Sequence, residues 1–220
     1  MNKGSRPRAA PPGWSYNPSA WAQRLPIVAL AAVGFFIAGY MSLFQFNILD
    51  SVWDPVFGSE STRKILTSPV STLLPIPDAA LGAIGYLVDV VTGVIGGKRR
   101  WRTMPWIVIV FGFAVGPLGA ISIALVIIQP VFFNAWCFLC LVTALISIIM
   151  IGPALDETLA SLQYLRRIHD AGGSWWDAFL GRPDLAVADA VVTAPTPPDV
   201  ARLRASREMA RQLADEESEE

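Results

Sequence analysis

Four long apolar runs set the terms for any fold open to this chain. They cover about Pro26–Leu49, Ala79–Ile95, Trp106–Ile128 and Phe132–Ile151. Each approaches or exceeds the roughly 18 to 20 residues that cross a bilayer as helix. The first and third carry no charge, and the second carries one acid, Asp89. Overall the chain is 53% hydrophobic and 16% charged, with a mean hydropathy of +0.47, whereas a soluble domain is usually about a quarter charged. The expectation is an all-α integral membrane protein built as a four-transmembrane-helix bundle. A cleaved signal peptide does not account for the first run, which starts some 25 residues in and exceeds the 7 to 15 residues of a signal core.

Positive charge alternates along the chain. Lys3, Arg6, Arg8 and Arg24 precede the first run, and Lys98, Arg99, Arg100 and Arg102 separate the second from the third. Only Arg63 and Lys64 lie between the first two runs, and none between the last two. The positive-inside rule then places both termini in the cytoplasm of a multi-pass cell-membrane protein. Gly58–Pro77 and the Gln129–Asn134 turn would face outward.

Composition divides the chain further. Residues 1–24 read as a disordered cytoplasmic tail rich in Pro and Gly, and 25–153 as the membrane domain. The 50–77 segment, with turn signals at Asp54-Pro55, Gly58-Ser59 and Ser68-Pro69, reads as an outward cap. Gln129-Pro130 is expected to make a tight hairpin between spans three and four. After Gly152-Pro153, residues 154–183 hold an amphipathic helix, Leu155–His169, with apolar positions at Leu155, Leu159, Leu162, Leu165 and Ile168. It is expected to lie at the cytoplasmic interface, anchored by Trp175 and Trp176. Residues 184–220 read as a flexible charged tail without chemistry.

The two cysteines, Cys137 and Cys140, are the only ones in the chain and stand as Cys-Phe-Leu-Cys at the outward start of span four. Spacing of three puts both sulfurs on one helical face, which argues for a redox pair. With Asn134 as N-cap, Cys137 would occupy the first turn, where free N–H groups and the helix dipole favour a thiolate. Cysteine also packs well as a small soft residue, so a purely structural pair stays open. No metal site is expected: two thiolates are too few, and the lone histidine, His169, falls on the other side of the membrane. Asp89 lies near the cytoplasmic end of span two, and the favoured reading has it snorkelling toward Lys98–Arg102 rather than acting as an intramembrane functional acid. A transporter has little support, since broken-helix signals are missing from the spans.

CFLC on the fourth of four spans, LTSPVS at Leu66–Ser71 and IPDAALGAIGY at Ile76–Tyr86 together resemble the vitamin K epoxide reductase family over about residues 25–153. The resemblance implies a four-helix bundle around a membrane quinone, menaquinone or ubiquinone, that exchanges electrons with the CxxC pair. It further implies a thioredoxin-like thiol protein on the outer face as partner, with Cys140 facing quinone and Cys137 facing thiols. By alignment Ser68 stands where the family has a serine or threonine near the cysteines; a plain Ser-Pro turn accounts for it equally. Asp78 stands where several members bind a quinone carbonyl through asparagine, though it also reads as a helix N-cap. The family's aromatic residue after the second cysteine is Ala144 here. One departure is sharp: the cap holds no cysteine, with Trp53 or Asp54 near the first expected position and Ser61 or Thr62 near the second. The expected activity is that of a quinone-dependent thiol–disulfide oxidoreductase; the alternative is a non-catalytic relative that binds quinone or a partner protein. No nucleic-acid partner is expected.

Overall fold

The computed structural model describes residues 10–71, 73 and 75–193, all of them helix, turn or loop. Eight helices follow in order: α1 (Trp21–Gln45), α2 (Ser59–Leu66), α3 (Asp78–Val94), α4 (Arg100–Thr103), α5 (Pro105–Phe133), α6 (Phe138–Asp170), α7 (Trp175–Phe179) and α8 (Leu185–Thr193). Helices α1, α5 and α6 are long and apolar enough to cross a membrane, whereas α3 has 17 residues. In the bundle α1 packs on α3 and α6, and α5 packs on the same two, so the order around the ring is α1, α3, α5, α6. Only 28–33% of the apolar windows of the three long helices is buried. The outward faces of α1 and α5 carry Phe36, Phe113, Ile127 and Val131, apolar surface that is stable only against lipid. The chain is a multi-pass membrane protein.

Glycine permits close approach inside the bundle. A Cβ on Gly34 of α1 would stand 2.6 Å from ring carbons of Tyr86 on α3. That contact seats the Tyr86 ring in the core formed with Ala31, Ala38 and Met150.

Three expectations about helix ends are corrected. Pro130 does not turn the chain: α5 runs through it to Phe133, and Asn134 ends the helix in the left-handed region at φ 44°. Asn134 is thus the C-cap of α5, and Cys137 itself is the N-cap of α6. Pro153 does not break span four either, because α6 continues for 33 residues, about 50 Å. A helix that leaves its hydrogen-bonding pattern in hydrocarbon has no water to turn to, so prolines there are absorbed. The 155–169 segment therefore projects along the axis of span four instead of lying flat at the interface. Leu155, Leu159 and Leu162 stay exposed, while Leu165 and Ile168 are buried with Trp101, Ala178, Val191 and Val192.

That second core also changes the reading of both tails. Residues 185–193, expected to be flexible, form α8 and pack into it. Of the N-terminal tail, Trp14 Nε1 donates to Gln163 Oε1 at 3.0 Å and Tyr16 donates to Asp156, which seats the segment on α6. The expected disorder of residues 1–9 and flexibility of residues 194–220 lie outside the described residues.

The same end of the bundle holds a buried charge cluster. Arg24, Arg100 and Glu157 are each no more than 2% exposed. Arg100 pairs with Glu157 through Nε (2.6 Å) and Nη2, and Ser19 donates to the same carboxylate. Both guanidinium groups then reach the unpaired carbonyls at the C-terminus of α3: Arg24 those of Gly93, Ile95 and Gly96, Arg100 those of Thr92 and Ile95. Cations at that end also oppose the helix dipole. One cluster so joins α1, α3, α4 and α6.

Removing one partner of a buried ion pair strands the other charge, at a cost of about 3–5 kcal/mol. Glu157→Ala should lower stability by that order in thermal unfolding of the purified protein, and Arg100→Lys should do so by less. A loss for Glu157→Ala well under 1 kcal/mol would show that the cluster does not hold the bundle together.

Candidate redox site

The hairpin between α5 and α6 builds the site. Left-handed Asn134 lets the chain reverse within a few residues, so Cys137 lands at the very start of α6 in extended conformation. Cys140 follows one turn later, its Cα 5.2 Å away, and the two sulfurs form a disulfide. Three of the N–H groups at this helix start have acceptors. Cys137 N–H donates to Gln129 Oε1 at 3.0 Å, Phe138 N–H to Asp54 Oδ2 at 2.9 Å, and Cys140 N–H to Cys137 Sγ at 3.2 Å. The donors that would favour a Cys137 thiolate are shared with an amide oxygen and a carboxylate.

Asp54 is the anchor of the cap. Beyond Phe138 it accepts from the N–H groups of Val56 and Phe57 and from the Thr62 hydroxyl, so one buried carboxylate ties the loop, α2 and α6 together. Burial alone would push this carboxyl up; the hydrogen bonds from Thr62, Phe57, Phe138 and Val56 outweigh it and hold the group below its usual value of 3.8. A second latch lies beside it. The Ser61 hydroxyl donates to Trp136 O at 2.7 Å and accepts from Trp136 N–H at 2.9 Å, with Phe57 stacked on the Trp136 ring. Residues near both expected loop-cysteine positions thus fasten the cap by hydrogen bonds. Under it Cys137 is 0% exposed.

Cys140 has a different outlook. It lines a cavity of about 690 Å³ of empty space, open mouth included, enclosed by all four bundle helices and the cap. Ser68 and Asp78 line the same cavity, as do Tyr86 and Gln129. The structure therefore brings Cys140, Ser68 and Asp78 together around one space and leaves Cys137 behind its wall. Met41 Sδ lies 3.8 Å from Cys140 Sγ. Asp78 is the first residue of α3, with Pro77 as N-cap. Its Oδ1 accepts from Gln45 Nε2 at 2.7 Å and its Oδ2 from the Ser71 hydroxyl at 3.1 Å. Ser68 sits at the turn before Ser71, whose N–H it accepts at 3.3 Å.

Below Tyr86 a smaller cavity of about 290 Å³ continues the space, sharing Gly82, Tyr86 and Ser122 with the larger one. The Tyr86 hydroxyl meets Thr143 O at 2.6 Å and Ser147 Oγ at 2.8 Å. Asp89 stands on the wall of this deeper part, 2% exposed, with no hydrogen-bond partner for Oδ1 among the described residues. The expected snorkelling toward Lys98–Arg102 is thus corrected: Asp89 follows Gly82 and Tyr86 on the cavity face of α3, and Arg100 turns to Glu157 instead.

Gln129, Gln45, Tyr86 and Asp54 went unread in the sequence as site residues. The first two carried a signal, since an uncharged amide at the edge of an apolar run needs a buried partner. Asp54 and Tyr86 carried none that a single chain displays.

Against known proteins, the model of the vitamin K epoxide reductase family matches residues 25–155, more than half the chain. No curated protein matches it.

Two predictions follow from this geometry. A carboxyl held low in the folded state stabilises the cap at every pH above its ordinary value, and that contribution fades as pH falls below about 4. Hydrogen exchange of residues 54–66 should therefore be flat from pH 5 to 8 and rise, after correction for intrinsic rates, under pH 4. Asp54→Asn should raise it at all pH and abolish the acid dependence; an unchanged profile would exclude Asp54 as the anchor. For Asp89, an unpartnered buried polar atom costs about 1–3 kcal/mol, so Asp89→Leu should leave thermal stability unchanged or raise it. A clear loss would reveal a partner for this carboxyl.

Proposed function

The chain belongs to the vitamin K epoxide reductase family, and from that premise we propose that it is a membrane thiol–disulfide oxidoreductase that passes electrons between Cys137–Cys140 and a quinone. The observation that carries this reading is the position of Cys140 on the wall of the cavity that the four bundle helices and the cap enclose. Met41, Leu66 and Phe133 give that cavity apolar sides, and Ser68, Asp78 and Gln129 give it a few polar points, which suits a flat ring with two carbonyl oxygens. A bound quinone supplies a two-electron, two-proton acceptor. On the protein side the reduced pair loses two electrons and two protons as the Cys137–Cys140 bond forms, and the acceptor becomes the hydroquinone. Ser68 and Asp78 are the residues proposed to border the ring, with menaquinone or ubiquinone as the natural ligand.

Reduction of the disulfide restarts the cycle. A thioredoxin-like thiol on the outer face would attack one sulfur and release the other as thiolate, then resolve to its own disulfide. Without loop cysteines to relay electrons, this thiol must reach the pair itself, and the Asp54 and Ser61 latches must release first. Span α3, at 17 residues about 26 Å long, is proposed as the fourth crossing of the hydrocarbon core, with both termini cytoplasmic.

The complete burial of Cys137 favours a second reading, in which the disulfide is static and the bundle binds quinone or a partner without turnover. Thiol alkylation separates the two. Purified protein reduced with dithiothreitol and freed of it should show two reactive cysteines that are lost on adding menaquinone, and Cys137→Ser or Cys140→Ser should end quinone reduction. Thiols that stay reduced in the presence of menaquinone would support the static disulfide and overturn the redox cycle.

A further inference from the structure

Hydrogen-bond accounting inside the large cavity leaves two donors over. The Ser71 hydroxyl is spent on Ile65 O at 3.0 Å and Asp78 Oδ2. Thr143 Oγ1 donates to Cys140 O at 3.0 Å, and the Tyr86 hydroxyl is engaged by Thr143 O and Ser147. Asp78 is occupied as an acceptor on both oxygens, so as a carboxylate it offers a carbonyl nothing. Two cavity groups, both on α5, have no such commitment. Gln129 uses its Oε1 for Cys137 N–H, and its Nε2 makes no hydrogen bond among the described residues although the side chain is 3% exposed. Ser122 also lines the cavity, and its hydroxyl has no partner among the described residues.

Because Oε1 is fixed by Cys137, the Gln129 amide cannot swing freely, and its NH₂ is presented to the cavity beside the start of α6. Ser122 lies seven residues earlier, so both side chains leave the same face of α5 with about 10.5 Å of rise between them. That offset between the two backbone positions is comparable to the span of a six-membered ring with para carbonyls and a hydrogen bond of about 2.9 Å at each end. Leu125 and Val126, between the two, line the same cavity and supply an apolar floor for the ring.

We infer that Gln129 Nε2–H and Ser122 Oγ–H form a donor pair that holds the two carbonyl oxygens of a 1,4-quinone along α5. This rests on the quinone-linked reading above and deepens it. Gln129 binds the oxygen nearest Cys140, where negative charge develops as electrons arrive, and a preset N–H donor at that point favours the reduced ring. Its two ends so serve both partners: the oxygen steadies the N-cap of the disulfide helix, and the amide nitrogen orients the acceptor. A ring with neighbouring carbonyls cannot engage both donors.

The test uses the full chain in lipid nanodiscs with ubiquinone-1 as probe, read by binding affinity and by the infrared carbonyl stretch of the bound ring. Wild type should bind with both carbonyl bands shifted down by hydrogen bonding. Ser122→Ala and Gln129→Met should each restore one band to its unbonded position and weaken binding about 3- to 10-fold, the worth of one neutral hydrogen bond. Ser122→Ala removes no hydrogen bond made among the described residues, so its thermal midpoint should match wild type and any change reports the ring. Unaltered bands and affinity in both variants would overturn the pair, as would failure of wild type to bind ubiquinone-1. Binding with shifted bands but inert cysteines would keep the pair and reject the redox cycle; quinone turnover insensitive to both substitutions would do the reverse.

Discussion

A helix that ends where no water reaches leaves carbonyls with nothing to bond, and the rest of this bundle is arranged around one such end. α3 spans 17 residues against 25, 29 and 33 for its three neighbours. Its last carbonyls are met by the guanidinium groups of Arg24 and Arg100, and the surplus charge is offset by Glu157 from α6. Arginine suits the task because its fork supplies several donors in one plane. At the opposite end Gln45 takes the Ala79 N–H and the Asp78 carboxylate. Held at both ends by polar groups, α3 turns its inner face, with Gly82, Tyr86 and Asp89, to the two cavities.

The cap shows how a covalent device can be replaced by a hydrogen-bonded one. Asp54 and Ser61 together close the loop onto the start of α6. Such a latch is reversible on its own, whereas a loop disulfide changes state only with electrons. The site consequently divides its two cysteines by access: one sulfur faces the membrane cavity, and the other waits behind a closed cap.

Much of the architecture was legible in the runs of apolar residues, because hydrocarbon punishes charge so strongly that spans announce themselves. Cys137 and Cys140 were placed correctly at the start of the last span for the same reason. What hydropathy does not report is where a helix ends. Pro130 and Pro153 read as stops on rules learned in water, where a freed carbonyl finds solvent; in lipid it does not, and both helices run on. Charges misled in a related way. Arg24 and Arg100 looked like solvated tail and loop residues, since a single chain does not reveal that they converge on Glu157. Asp89 was assigned to the cations nearest in sequence, yet it lies on the face of α3 that looks inward. Gln129 was read as part of a turn, and only the continuation of α5 past Pro130 puts it beside the disulfide.

The unbroken course of α6 has a mechanical side. Twenty residues separate Cys137 from Glu157 on one stiff rod, roughly 30 Å of lever arm. With Glu157 pinned as the fulcrum, a tilt of about one degree sweeps the cysteine end through roughly half an ångström. Forces on the N-terminal segment, α7 or α8, which grip the rod beyond the fulcrum, therefore reach the disulfide through one continuous helix, whose weak point is Pro153, where an internal hydrogen bond is missing.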